Sequence, residues 1–174
     1  MQSYLEVKIP VRPDAKWLTD LKQTLSSTPV RWQNGCYHIT LSFLNETADI
    51  QDVIPVIDRH IKNGVVSELN FDKLDVFTAK SAGVHIVNLT VSDIPDSFKR
   101  WVDGIRAELA EIGCVIESDF RLHVTLGRAD SSSCRLENLQ TLIQKVDMPS
   151  FKLPLSSYEY REFRGKTIKT WVLS

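Results

Sequence analysis

Two stretches of the chain alternate apolar and polar residues with the two-residue period of a half-buried β-strand. From Gly35 to Phe43, Tyr37, Ile39, Leu41 and Phe43 fall on one face, and His38, Thr40 and Ser42 on the other. From Phe120 to Arg128, Leu122, Val124 and Leu126 share one face, and His123 and Thr125 the other. Around these strands the pattern predicts further elements. Tyr4 to Pro10 alternates as a strand, with Leu5, Val7 and Ile9 together. Helical spacing covers Asp14–Leu25, Ala48–Lys62 (with Thr47 as its cap), Pro95 to about Ile112, and, more weakly, Arg135–Val146. Strands are expected in Val65–Ala79 and Val84–Val91, and a closing hairpin from Phe151–Phe163 and Thr167–Leu173.

Each half of the chain thus carries one His-x-Thr strand flanked by helices. That order predicts an α+β fold built as a duplication, with two similar lobes facing each other across a cleft. Outside the two tetrads, His38-Ile39-Thr40-Leu41 and His123-Val124-Thr125-Leu126, the halves share too little sequence to define a longer repeat.

Composition narrows the field. With 174 residues, 43% hydrophobic and 25% charged, the chain fits one compact domain or two small lobes on a common core. A formal net charge of −1 provides no global basic field for holding long nucleic acid, so a nucleic-acid substrate would be read locally, at a terminus. The three cysteines, Cys36, Cys114 and Cys134, are odd in number and lack C-x-x-C spacing, which argues against a disulfide framework and a structural zinc site. Cys36 shares the strand face of His38 and reads as a bystander thiol. The first residues lack the apolar core of a signal peptide, and no apolar run approaches the roughly 20 residues that span a bilayer. The expectation is a monomer in a reducing, cytoplasmic compartment.

The chemistry lies in the doubled His-x-Thr. Two such strands on opposite walls of a cleft bring two imidazoles and two hydroxyls to one small volume, suited to a phosphate held from both sides. Opening a cyclic phosphodiester needs a base for water and an acid for the leaving oxygen. Histidine, with an unperturbed pKa of about 6.5, does either. Thr40 and Thr125 can donate to the non-bridging oxygens where charge grows. Asp119 and Glu46 flank the tetrads without forming a metal-ligand set, and the scheme requires no metal or other cofactor. His60, near a helix C-terminus, and His85, in an apolar strand, read as structural. Tyr158, Tyr160, Phe163 and Trp171 are candidates for a base-stacking wall but are more often core residues.

These two stretches resemble the 2H phosphoesterases, and within them the bacterial RNA 2′,3′-cyclic phosphodiesterases, historically called 2′-5′ RNA ligases. That branch's second motif reads like Phe-Arg-Pro-His-Val-Thr-Leu-x-Arg; here Leu122 stands in place of Pro. Its first motif continues into Phe-Leu-Gly-Glu; here Asn45 replaces Gly. The resemblance implies one domain over residues 1–174, two-lobed with a pseudo-two-fold axis, with antiparallel sheets lining a central cleft and helices outside. It implies metal-independent opening of a 2′,3′-cyclic phosphate on an RNA 3′ end or nucleotide to a 2′-phosphate. His38 would then be the acid on the 3′ oxygen and His123 the base on water, with Arg128 contacting the phosphate. Strict alternation places Arg128 on the Leu126 side, so it reaches the cleft only if the strand ends or bulges near Gly127. Arg121, of the same parity as His123, is a second phosphate candidate. Other readings are a different substrate on the same fold (ADP-ribose cyclic phosphate, 2′-5′ oligoadenylate, a small-RNA 3′ end) or a non-catalytic nucleotide or RNA-end binder.

Overall fold

The computed structural model describes residues 2–64, 66–116 and 119–174. Val65, where one predicted strand region opens, lies outside them. The first half runs β1 (Ser3–Lys8), α1 (Lys16–Thr24), β2 (Arg31–Trp32), β3 (His38–Glu46) and α2 (Ile50–Lys62). It continues through β4 (Glu68–Phe71), β5 (Lys73–Ala79), a 3₁₀ turn at Lys80–Ala82 and β6 (Val84–Thr90). The remainder is α3 (Asp96–Glu111), β7 (Val115–Ile116), β8 (Val124–Asp130), α4 (Leu136–Ile143), β9 (Phe151–Pro154), β10 (Ser157–Glu162) and β11 (Thr167–Val172).

All strand pairs among the described residues are antiparallel. One sheet has the order β11-β10-β1-β3-β7 and a second β2-β8-β6-β5, while β4 and β9 form a small third. The fold is therefore α+β, and each tetrad strand sits inside its own sheet. Fully buried Leu5, Val7, Ile39, Leu41, Tyr158 and Tyr160 line the inner face of the first sheet. The buried stripes of α2 (Val53, Val56, Ile57, Ile61) and α3 (Phe98, Val102, Ile105, Leu109) belong to the same hydrophobic cluster. Burying each such side chain contributes about 1.5–3 kcal/mol against the chain entropy. The second sheet receives α4, whose Gln140 side chain donates to the Val76 carbonyl, and α1 in turn touches α4.

Several element boundaries differ from the sequence expectation for local reasons. The cap of α2 is Asp49, whose carboxylate accepts from the Gln51 amide at 2.9 Å. Thr47 instead pairs with the Ser3 hydroxyl at 3.0 Å, tying the end of β3 to β1. The Phe151–Phe163 stretch breaks near Leu155, so β9 pairs with β4 and only β10 forms the hairpin with β11. Tyr158 and Tyr160 are fully buried and Trp171 nearly so, which removes them from any exposed stacking wall; Phe163 is exposed under the Arg164 guanidinium.

The two sheets repeat one local irregularity. Between β1 and β3, Glu6 lies opposite Thr40 and Leu5 opposite Ser42, so Leu41 is an extra residue. Between β6 and β8, Asn88 lies opposite Thr125 and Val87 opposite Gly127, so Leu126 is extra. In both halves the bulged residue is the leucine that closes the tetrad. A bulge of this kind reverses the side-chain parity of the residues beyond it. The duplication is thus written in strand register, at a position where the sequences of the halves share little else.

Candidate active site

The bulges reassign two of the faces expected from strict alternation. On β3, Ser42 turns into the core at 1% exposure and Phe43 turns out at 37%. The expected grouping of Phe43 with Tyr37, Ile39 and Leu41 is therefore wrong beyond Leu41. On β8 the same reversal buries Gly127 and exposes Arg128. Arg128 thereby joins the face of His123 and Thr125, opposite to the face assigned by simple parity.

Gly127 is needed for a further reason. A Cβ there would lie 2.7 Å from Val30 Cγ1, 3.1 Å from Trp32 Cε3 and 3.2 Å from the Arg31 carbonyl. Strand β2 pairs beside it in the same sheet, with Trp32 opposite Gly127 and Arg31 opposite Arg128. The next residue, Gln33, is held by its amide to the Leu126 carbonyl at 2.7 Å, and its side-chain Oε1 accepts from Arg128 Nη1 at 3.2 Å. Gly127→Ala is expected to displace β2 and destabilise the protein by about 1–3 kcal/mol, visible as a lower denaturant midpoint with an unchanged m-value.

The histidines are mounted alike. His38 Nδ1 lies 3.1 Å from the Cys36 carbonyl, and His123 Nδ1 lies 2.9 Å from the Arg121 carbonyl, each two residues upstream. A carbonyl only accepts, so each Nδ1 carries a proton and the Nδ1 bond does not engage Nε2. At His38 the carbonyl belongs to a residue with a left-handed backbone, Cys36 at φ 52°, directly after Gly35 at φ 69°. Cys36 meets the His38 ring through its carbonyl, and its thiol is exposed and unpaired with another cysteine. Each ring also has an aromatic neighbour. Tyr4 on β1 lies 6.4 Å from His38, and Phe77 on β5 meets His123 edge-on at 5.0 Å.

Strands β3 and β8 touch each other, and the charge of His38 acts on His123. Burial holds the His123 pKa below the ordinary histidine value. The Nδ1 bond to Arg121 opposes that shift, while the charges of Arg121, His38 and Arg128 add to it. In the unfolded chain the same imidazole protonates near pH 6.5. The unfolded state therefore binds more protons below that pH, and stability falls as pH drops through it. His123→Gln is expected to flatten part of that fall, seen by comparing denaturant midpoints at pH 7 and pH 5 in variant and wild type.

Thr40 and Thr125 are half-buried on the same faces as their histidines. Arg121 stacks over Phe77 at 4.2 Å, beside a cavity of about 310 Å³ lined by Lys73, Asp75, Phe77, Asn88, Thr90 and Arg121. The other two histidines have partners elsewhere. His85 is buried between the Thr78 hydroxyl and the Cys134 carbonyl, each at 3.0 Å, and His60 Nε2 lies 2.6 Å from Glu108 on α3. Among the described residues no group of three or more His, Cys, Asp or Glu has the arrangement of a metal site.

Sequence reasoning missed Tyr4, Glu6 and Lys8, which share a parity on β1, and Gln33 and Phe77. Their alternation was visible, but which strand β1 would pair with was not.

Comparison with solved structures gives the same architecture over essentially the whole chain. A protein described as a phosphoesterase matches at 16% identity and TM-score 0.63, covering 99% of this chain and 98% of its own. LigT of E. coli in apo form matches at 17% and 0.60, covering 99% and 97%. Usb1 of Kluyveromyces marxianus matches at 13% and 0.65, covering 99% and 98%. The chain has their fold. LigT has also been solved with 3′-AMP, with NADP+, with ATP and with phosphate. No protein-family profile and no curated protein matches the sequence. No described helix is long and apolar enough to cross a membrane.

Proposed function

We propose that this chain, taken as one 2H phosphoesterase domain, opens 2′,3′-cyclic phosphates on RNA 3′ ends or nucleotides to 2′-phosphates, using His38 and His123 as general acid and base. The observation that carries this reading is the paired mounting of the histidines. Both have Nδ1 fixed by a carbonyl two residues upstream, both precede a Thr at the same register, and both sheets bulge at the next Leu. A core has no use for such a device, whereas two-sided attack on a phosphate does.

In this reading one Nε2 takes a proton from water as it attacks phosphorus, and the other gives a proton to the departing 3′ oxygen. Thr40 and Thr125 donate to the non-bridging oxygens, and Arg128 adds a fixed positive charge for the dianionic transition state. Gln33 already orients the Arg128 guanidinium through one N–H, which leaves the others for phosphate. The low pKa of His123 favours its neutral form near pH 7, the form a base requires. The nucleotide complexes of E. coli LigT, which shares the fold, support a nucleotide-bearing substrate.

A panel in EDTA tests the substrate class: a 2′,3′-cyclic mononucleotide, a short RNA with a cyclic end, ADP-ribose cyclic phosphate and 2′-5′ oligoadenylate. The expected result is fastest turnover on the cyclic RNA end or mononucleotide. Preference for ADP-ribose cyclic phosphate or 2′-5′ oligoadenylate would keep the fold and replace the substrate, and binding without turnover of any member would leave a nucleotide binder.

A further inference from the structure

The pseudo-two-fold match between the sheets fails at one informative position. Opposite Thr40, on β1, stands Glu6; at the matching place opposite Thr125, on β6, stands Asn88. Both are 1% exposed. An isolated buried carboxylate is costly, so its surroundings show what it is there for. Glu6 Oε1 lies 2.6 Å from Lys8 Nζ and 3.8 Å from Arg161 Nη1. Glu6 Oε2 lies 3.4 Å from His38 Nε2. Asn88, by contrast, spends its amide on the Asp75 and Ile86 carbonyls.

We propose that Glu6 is a positioning residue that makes His38 the general acid, and that the Glu6/Asn88 difference breaks the symmetry between the two otherwise equivalent histidines. This rests on the phosphodiesterase reading above. With Nδ1 facing the Cys36 carbonyl and Nε2 facing a carboxylate, both ring nitrogens of His38 look at acceptors. A proton carried on Nε2 therefore meets a negative charge at 3.4 Å, where the matching position beside His123 offers a neutral amide residue. Lys8 from β1 and Glu159 and Arg161 from β10 form the charged cluster around Glu6, while Tyr4 on β1 neighbours the His38 ring and His38 and His123 interact by charge. Lys8 and Arg161 offset Glu6 and Glu159 in number, and of these four groups it is Glu6 that lies within ion-pair distance of the His38 ring. Facing His123 are Arg121, Arg128 and His38, all cationic or able to become so.

At 3.4 Å the Glu6 contact is too long for a strong hydrogen bond. The carboxylate therefore stabilises the charge without capturing the proton. In the reaction, water oxygen bonds to phosphorus while its proton passes to His123 Nε2. The bond from phosphorus to the 3′ oxygen breaks, and that oxygen takes the proton from His38 Nε2. Exchange with solvent returns both histidines to their starting forms.

The test compares wild type, Glu6→Gln, Glu6→Asp and Asn88→Asp. In pH profiles of kcat/KM, Glu6→Gln is expected to lose about tenfold more at pH 8 than at pH 6, as removal of a neighbouring opposite charge predicts. Glu6→Asp should recover part of that loss. In histidine ring NMR titrations of the folded proteins, Glu6→Gln should move the His38 midpoint to lower pH and move His123 much less, while Asn88→Asp should move His123 upward. A uniform loss across pH, or a His38 midpoint indifferent to Glu6, overturns the inference. If wild type opens no cyclic phosphate, the functional reading fails, and the NMR titrations still decide whether Glu6 governs His38.

Discussion

Replacing either His38 or His123 with alanine is expected to lower the opening of a 2′,3′-cyclic phosphate by about a hundredfold or more in kcat, the scale of a lost general acid or base. The double variant should lose little beyond the worse single, because the two act in one concerted step and their effects are not additive. Stability gives the control. Both rings sit at the open faces of their sheets and neither contributes to the buried cluster. His123 even costs the folded state stability at acid pH, so His123→Ala should keep or raise the denaturant midpoint at pH 5 while abolishing activity. A variant that lost activity only in proportion to its folded fraction would remove that histidine from the mechanism.

The second large effect is expected at Arg128. Arg128→Ala should reduce kcat by roughly a hundredfold, the size seen when one preorganised donor to a developing negative charge is removed. KM should change much less, since the charge grows mainly in the transition state. Arg128→Lys should recover only part of the loss, because a lysine cannot both donate to the Gln33 side-chain oxygen and present a second planar N–H to phosphate. Gln33→Ala should lose a smaller fraction of kcat through disorder of the guanidinium. An Arg128→Ala enzyme with unchanged kcat would make Arg128 a solvated strand-end cation.

The tetrads were legible because a two-residue period carries its own geometry: once His38 and Thr40 share a face, any sheet presents them together. The α+β class and the duplicated lobes were legible for the same reason, from the order of alternating and helical segments. What alternation could not convey was the extra residue at Leu41 and Leu126. Nothing in a leucine announces a bulge, since a bulge arises from the register of two strands. Its consequences came in pairs: Phe43 turned outward and Ser42 inward, Arg128 outward and Gly127 into the buried side beside β2. Glu6 was hidden by a different gap. Its parity on β1 was plain, but its chemical meaning depends on β1 lying beside β3 rather than at an edge, which is a long-range choice. The closing hairpin formed, but its start and the cap of α2 shifted for local reasons, with the Phe151–Phe163 run divided between two sheets and Thr47 drawn to Ser3.

The most direct measurement is single-turnover cleavage of a short RNA bearing a 2′,3′-cyclic phosphate, in EDTA, with the position of the product phosphate read by chromatography or ³¹P NMR. Two histidines acting with the 3′ oxygen as leaving group predict a 2′-phosphate as the sole product, formed equally with and without added divalent metal. A 3′-phosphate product, or no opening by correctly folded protein, would contradict the proposed reaction.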